Sequence, residues 1–300
     1  MVSETKMLLT SINLPIQLIN THDLAFDIKK IQSSYVPYYE QHYAWDDYLL
    51  RQNQLAFIQA NTSKSITDTH KVTFSEYFLG HHSANILQPF FDDFDDKKMK
   101  AFTAIKPTRK RLISEYTIIK NIDGWQIERE KARPFTQCYG KLVDTTKNPI
   151  YNISERSFKE LPKAMESAEL HQLLSSICQR LHDQLANHPK GFNIVVHHTI
   201  VYCYPDMQGS NAPEGIHQDG IDFIISAFVI DRKNIQGGKS IIYGKDKKTP
   251  IFQGTLMPGQ GILQADKDSE LWHSVTPIAC DSDDNIGYRS TLGFDITLRK

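Results

Sequence analysis

Within PEGIHQDG, Pro213 to Gly220, His217 and Asp219 stand two residues apart. In extended backbone, residues i and i+2 face the same side, so this imidazole and this carboxylate can converge on one metal ion. A third ligand has to come from elsewhere. His273 in LWHSVTPI, 54 residues after Asp219, is far enough along to return through several strands. Two imidazoles and one carboxylate on one face of a metal form the facial triad of non-haem Fe(II) oxygenases, which leaves coordination positions open. Bidentate 2-oxoglutarate can take two of them and O2 a third. Arg289, 16 residues past His273 on what reads as the final strand, offers a planar, permanently charged fork to that cosubstrate's distal carboxylate. Thr291 shares its face. Tyr204, which alternates with His198, Ile200 and Tyr202 along an earlier strand, is a further candidate for the same carboxylate. No catalytic side chain beyond the iron centre is assigned, and no substrate-binding residue.

Each of these residues also has a plainer account. An isolated HxD spacing suits a capped turn, His273 a hydrogen-bonded histidine at a strand start, and Tyr204 ordinary aromatic packing. Arg289 lies near Asp281, Asp283 and Asp284 in sequence, which suits a surface ion pair. His197 and His198 are adjacent on a strand and must face opposite sides, one to the core and one to the surface. His81 and His82 sit in a polar, loop-like stretch and read as structural. Gly237 and Gly238 permit a tight strand connection and have no phosphate-cradling context. Asp222 suits either a substrate amine or a turn. Arg133 and Gln137, just before Cys138, are candidate substrate contacts on polarity alone and are not assigned to the site.

The elements that must position these groups are legible in outline. Between Met165 and Leu185, Leu170, Leu173, Leu174, Ile177, Leu181 and Leu185 recur at three- and four-residue steps, predicting a helix with one buried face. After Pro189 to Gly191 the texture changes to short β-branched and aromatic runs: Asn193–Tyr204, Phe223–Asp231, Lys239–Tyr243, Gly261–Ala265, Leu271–Pro277 and Ser290–Arg299. Such spacing predicts an antiparallel sandwich or barrel with the preceding helix on one outer face. Ile12, Leu14, Ile16 and Leu18 alternate as a strand, and Pro15 assigns it to an edge or a strand end. Tyr38 to Ile58 reads as helix, and Asp92, Asp93, Asp95 and Asp96 as a solvated turn.

The chain has 300 residues, with 34 Lys+Arg against 35 Asp+Glu, and the net charge of −1 excludes nucleic-acid binding through an overall basic field. Its hydrophobic content of 40% supports a sizeable core, and its length allows one large domain or two. Cys138, Cys178, Cys203 and Cys280 are far apart, with no CxxC pair, which fits a reducing compartment. Met7 to Ile19 has neither the continuous apolar run nor the cleavage site of a signal peptide. No run of 18 apolar residues occurs, so a soluble, cytoplasmic protein without a membrane span is expected.

Four blocks together, EGIHQDGIDFI, RKNIQGGKSIIY (Arg232–Tyr243), LWHSVTPI and GYRSTLGFDI (Gly287–Ile296), resemble the bacterial 2-oxoglutarate/Fe(II) dioxygenases of the L-isoleucine dioxygenase type. The likeness extends more weakly back to YNISERSFKELP at Tyr151, leaving the first 130 residues unmatched. It implies a mainly β fold with flanking helices, a double-stranded β-helix (jelly roll, cupin-like), over residues 131–300. Residues 1–130 are read as an N-terminal α/β extension packed on that barrel. The resemblance also implies Fe(II), with 2-oxoglutarate and O2 as cosubstrates and ascorbate as reductant in vitro. The reaction would convert 2-oxoglutarate to succinate and CO2 and hydroxylate an unactivated C–H bond of a free L-amino acid. His217, Asp219 and His273 match the iron ligands and Arg289 the 2-oxoglutarate clamp. A carboxylate at Asp219 disfavours the halogenase variant, in which chloride takes that position. Two other readings stand beside this one: a natural-product or peptide-tailoring 2-oxoglutarate oxygenase, and a catalytically silent metal-binding jelly-roll module. The partner expected is a small molecule, with neither nucleic acid nor membrane; the oligomeric state is not encoded in any motif.

Overall fold

The computed structural model describes residues 16–136, 155–211, 215–282 and 285–299, apart from 22–23 and 25–26. Ile12, Leu14, Pro15, Gln137, Cys138, Tyr151, Pro213, Asp283 and Asp284 thus lie outside the described residues. After strand β1 (Ile16–Asn20), helices in the first hundred residues begin at side chains that accept a backbone N–H. Asp27 caps α1 (Ile28–Tyr35), and β2 (Ala44–Trp45) leads to Asp46, which caps α2 (Asp47–Asn61). Thr67 caps α3 (Asp68–Leu79) and Asp95 caps α4 (Asp96–Thr103). The acidic run is therefore more than a solvated turn, since one of its carboxylates starts a helix. The helix expected over Tyr38–Ile58 is shorter at its start, because the 3₁₀ turn at Val36–Tyr38 and β2 come first and Asp46 fixes the beginning of α2. Leu55, Ile58, Phe74, Phe78, Leu87 and Phe90 form a separate apolar cluster among these helices.

Among the described residues that follow, strands dominate, with one long helix and a 3₁₀ turn at Lys163–Met165. In order come β3 (Arg109–Asn121), β4 (Gly124–Glu130), β5 (Phe135–Thr136), β6 (Glu155–Arg156), α5 (Ala168–Gln184), β7 (Gly191–Cys203) and β8 (Phe223–Lys233). β9 (Ile235–Gly237), β10 (Lys239–Tyr243), β11 (Pro250–Thr255), β12 (Gln260–Ala265), β13 (Trp272–Val275), β14 (Ile278–Cys280) and β15 (Gly287–Leu298) follow. An eight-stranded sheet runs β1-β12-β8-β15-β7-β3-β2, with β4 beside β3, and a three-stranded sheet runs β11-β10-β13. The strand pairs in both sheets are antiparallel, and the architecture is a jelly-roll sandwich. β1 takes an edge, as Pro15 predicts. β3, drawn from before residue 131, lies well inside the large sheet.

The large sheet is covered on both faces. Leu170, Leu173, Leu174, Ile177 and Leu181 of α5 pack with Ile31 and Tyr35 of α1 on Phe192, Ile194, Val196, Leu292, Phe294 and Ile296. Each such side chain, fully buried, contributes about 1.5–3 kcal/mol. Ala227, Val229, Ile242, Phe252, Ile262 and Leu271 fill the space between the two sheets. His198 and His197 do face opposite sides, but neither reaches the surface: His198 is 0% and His197 7% exposed. His198 enters the helix-covered core and His197 the inner face.

Pairing of β3, β7 and β15 sets inner-face residues in rows. Arg109, Val201 and Arg289 form one; Arg111, Thr199 and Thr291 the next; then Ile113, His197 and Gly293; then Glu115, Val195 and Asp295. These rows form the wall on which the site is built.

Candidate functional site

His217 and His273 meet as an isolated antiparallel bridge between the loop after β7 and the start of β13. Their ring centroids are 4.2 Å apart. Asp219 faces both, with His217 Nε2 at 3.6 Å from Oδ1 and His273 Nε2 at 3.4 Å from Oδ2. One ligand atom from each residue lies within 4.8 Å of the others, and both histidines are buried. His217 Nδ1 is 2.9 Å from the Gly215 carbonyl, so it carries the proton and leaves Nε2 a lone-pair donor toward Asp219. Burial alone would raise the Asp219 pKa, but His273 holds it below the usual range. Two imidazole nitrogens and an ionised carboxylate converging in this way fit a divalent transition-metal ion.

Sequence spacing left the supporting residues unassigned. Gln218, 3% exposed, lies between the two ligands and points the other way. Its Nε2 donates to the carbonyls of Asp266 at 3.0 Å, Ser269 at 3.1 Å and Leu271 at 2.7 Å, tying the first ligand loop to the chain that leads to His273. Asp266 is fully buried; its Oδ2 accepts from Gly220 N at 2.6 Å and Ile221 N at 3.2 Å. Its Oδ1 stands 3.9 Å from His273 Nδ1. Burial and the neighbouring Asp219 charge push Asp266 up to about 7, so Asp219 keeps the negative charge. The alternation of His217, Gln218 and Asp219 was the only signal for Gln218; Asp266 had none beyond its place at a strand end.

Arg289 stands on the inner face, 2% exposed, and its Nε, Nη1 and Nη2 meet no acceptor among the described residues. Burial and the nearby Arg232 lower its pKa to about 9. A buried guanidinium without an acceptor is costly. It fits an anionic ligand, and the distal carboxylate of 2-oxoglutarate is one. Thr291 lies two residues on, 5% exposed, on the same face. Tyr204 does not join them. Its alternation partners Ile200 and Tyr202 belong to the helix-covered core, and the Tyr204 hydroxyl donates to the Pro107 carbonyl at 3.0 Å.

Further along the same wall, Arg111 Nη2 donates to His197 Nδ1 at 2.6 Å. The other nitrogen of that ring, Nε2, therefore carries the proton and donates to Asp295 Oδ2 at 2.9 Å. Asp219 is near enough to favour the charged form of His197, although burial lowers that pKa overall. Arg109 pairs with the buried Asp46 through Nη2 at 2.8 Å. Asp222 accepts the Leu298 N–H of β15 at 2.8 Å, a bond to a distant strand in place of the local turn, and Arg133 pairs with Glu115. His81 pairs with Glu76.

The model of the 2OG-Fe dioxygenase family matches residues 90–295, more than half of the chain, and the chain belongs to that family. As a member it is a dioxygenase that uses Fe(II), 2-oxoglutarate and O2. Among solved structures it is similar to a bsmA homologue from Methylobium petroleophilum PM1, at 15% identity over 99% of this chain and 92% of that one, with a TM-score of 0.56. It is also similar to IDO from Bacillus thuringiensis, at 12% identity over 92% and 96% of the two chains and a TM-score of 0.49. A third is the Fe(II)/α-ketoglutarate-dependent dioxygenase TqaL, at 14% identity over 84% and 88%, with a TM-score of 0.47. The first of these likenesses shows a shared fold. Among curated proteins none matches the chain by sequence. No helix among the described residues is long and apolar enough to cross a membrane.

Proposed function

We propose that the enzyme hydroxylates an unactivated C–H bond of a free L-amino acid or a close derivative. In this reading His217, Asp219 and His273 hold Fe(II), and Arg289 with Thr291 receives the distal carboxylate of 2-oxoglutarate. The observation that supports the substrate class is the Arg111–His197–Asp295 chain. It offers a cation and an anion on the wall that carries Arg289, the complement of a substrate bearing both a carboxylate and an ammonium group.

The bound iron, 2-oxoglutarate and O2 supply the oxidising chemistry, with succinate, CO2 and an oxygenated substrate as products. The chain's own residues bind and orient. Gln218 holds the two ligand loops together, Asp266 faces the second ligand histidine, and His197, fixed in one tautomer by Arg111 and Asp295, keeps its charged neighbours in place. The apolar layer of Ala227, Val229, Ile242 and Ile262 limits water on the sheet side. The helical part of the segment before residue 131 is read as an extension packed on the barrel, supported by Ile31 and Tyr35 of α1 sharing one apolar cluster with Ile194 and Phe294, while β1 and β3 of that segment are strands of the large sheet itself. A cytoplasmic setting is read from the sequence, whose four cysteines have no paired CxxC spacing and suit a reducing compartment.

The test is a mass-spectrometric screen with Fe(II), ascorbate, 2-oxoglutarate and a panel of L-amino acids. A product heavier by one oxygen, matched by succinate, is the expected result. Succinate without an oxygenated amino acid would move the substrate to a larger natural product or peptide.

A further inference from the structure

Arg289 has a second arginine directly opposite it. β15 pairs Arg289 with Arg232 of β8, and the irregularity that takes Thr291 to Val229 and Ser290 to Asp231 brings the two arginines level. Like charges directly opposite on antiparallel strands destabilise the pair. Here one of the two is also buried. Arg232 donates from Nη2 to the Gly237 carbonyl at 2.9 Å, while its Nη1 is buried and meets no acceptor among the described residues. Among those residues no carboxylate stands within ion-pair distance of either guanidinium.

Both side chains border the same small space. A Cβ on Gly238 would stand 3.1 Å from Arg289 Cδ and 3.3 Å from Arg232 Nη1, and Gly238 has φ +63°. The glycine lets the backbone pass close to two arginine side chains at once. Two facing guanidiniums, four of their nitrogens buried without acceptors, require negative charge between them. A planar carboxylate, which accepts through both oxygens, is the matching shape.

We propose that Arg232 is a second binding residue for the cosubstrate, sharing with Arg289 the distal carboxylate of a 2-oxo dicarboxylic acid. The inference rests on the reading of Arg289 as the cosubstrate clamp and adds a selectivity to it. A site with two guanidiniums discriminates strongly against a cosubstrate whose distal group is neutral.

The test is calorimetric titration of the full chain, loaded with Mn(II) as a redox-silent stand-in, with 2-oxoglutarate and with its distal amide, 2-oxoglutaramate. Arg232→Met is expected to weaken 2-oxoglutarate binding by about 10-fold or more, about 1.4 kcal/mol or more by the affinity relation. It should leave the weak binding of the amide nearly unchanged. Arg232→Lys, which keeps the charge and loses the fork, is expected to bind with intermediate affinity and guards against misfolding of the methionine variant. Unchanged 2-oxoglutarate affinity in both variants would overturn the proposal, as would equal losses for acid and amide, the mark of a structural role through Gly237. If Arg289→Met also bound as wild type, the clamp reading itself would fall with it; loss in Arg289→Met alone would overturn only the role of Arg232.

Discussion

His217 and His273 exchange both backbone hydrogen bonds, His217 N–H to His273 O at 3.0 Å and the reverse at 2.9 Å. The two imidazoles are therefore held side by side by main chain that does not depend on the rings. Replacing His273 with Ala removes a metal donor and leaves the bridge. The variant is expected to lose stoichiometric Fe(II) and turnover while its Tm stays within about 4 °C of the parent, since the change costs little packing. Iron content by mass spectrometry and melting by circular dichroism measure the two quantities. Normal iron content and turnover would remove His273 from the metal site.

Gln218 carries the other tie between the loops. Gln218→Leu strips a donor from three carbonyls, those of Asp266, Ser269 and Leu271, in a buried setting. The expected cost is about 1–3 kcal/mol of stability. Metal affinity should fall about 10-fold or more, because the partners of a ligand loop orient its ligands. Urea unfolding and competition with a chelator give the two numbers. Wild-type metal affinity in a destabilised variant would confine Gln218 to a folding role.

What could be read in advance followed from how local each feature is. The face of α5 and the His217–Asp219 spacing are set by residues a few positions apart, and both were legible in the sequence. His273 and Arg289 were candidates by residue type and distance along the chain, and four ordered blocks of sequence joined them to His217 and Asp219. Gln218 and Asp266 act through loops 48 residues apart that only the folded chain brings together. The Arg232–Arg289 pairing depends on an irregularity in β8 register, which alternation of hydrophobic residues does not encode. Tyr204 illustrates the converse: the alternation was read correctly, but it was the other face of β7 that lines the site, because α5 covers the face that Tyr202 shares.

Gly238 tests the space beside the two arginines without touching their charge. In Gly238→Ala the new Cβ would lie 3.0 Å from Ile278 Cγ2 and 3.1 Å from Arg289 Cδ, at a left-handed φ of +63°. Left-handed backbone alone costs a non-glycine residue about 1–2 kcal/mol. The Arg289 side chain has to shift, so the KM for 2-oxoglutarate is expected to rise about 10-fold, with a smaller change in the KM for substrate. Steady-state kinetics with each reactant varied in turn decides it, and equal changes in both constants would mean a general loss of structure.

His198 gives the fold a pH dependence independent of the metal. It is fully buried, with Nε2 3.0 Å from Ser114 Oγ, and burial lowers its pKa from 6.5 to about 3. Between those two values the unfolded chain takes up a proton that the folded chain refuses. Stability from this group is therefore complete above pH 6.5 and is lost as pH falls toward 3. One proton corresponds to a slope of at most about 1.4 kcal/mol per pH unit. His197, whose pKa is also lowered by burial, adds to the slope. His198→Leu should lower the stability at neutral pH, because Ser114 loses its partner, yet flatten the decline below pH 6.5 by up to one proton's worth. Urea unfolding of the metal-free chain at a series of pH values measures both slopes. Identical slopes in the parent and the variant would mean that His198 is charged in the folded protein or that another group controls its acid sensitivity.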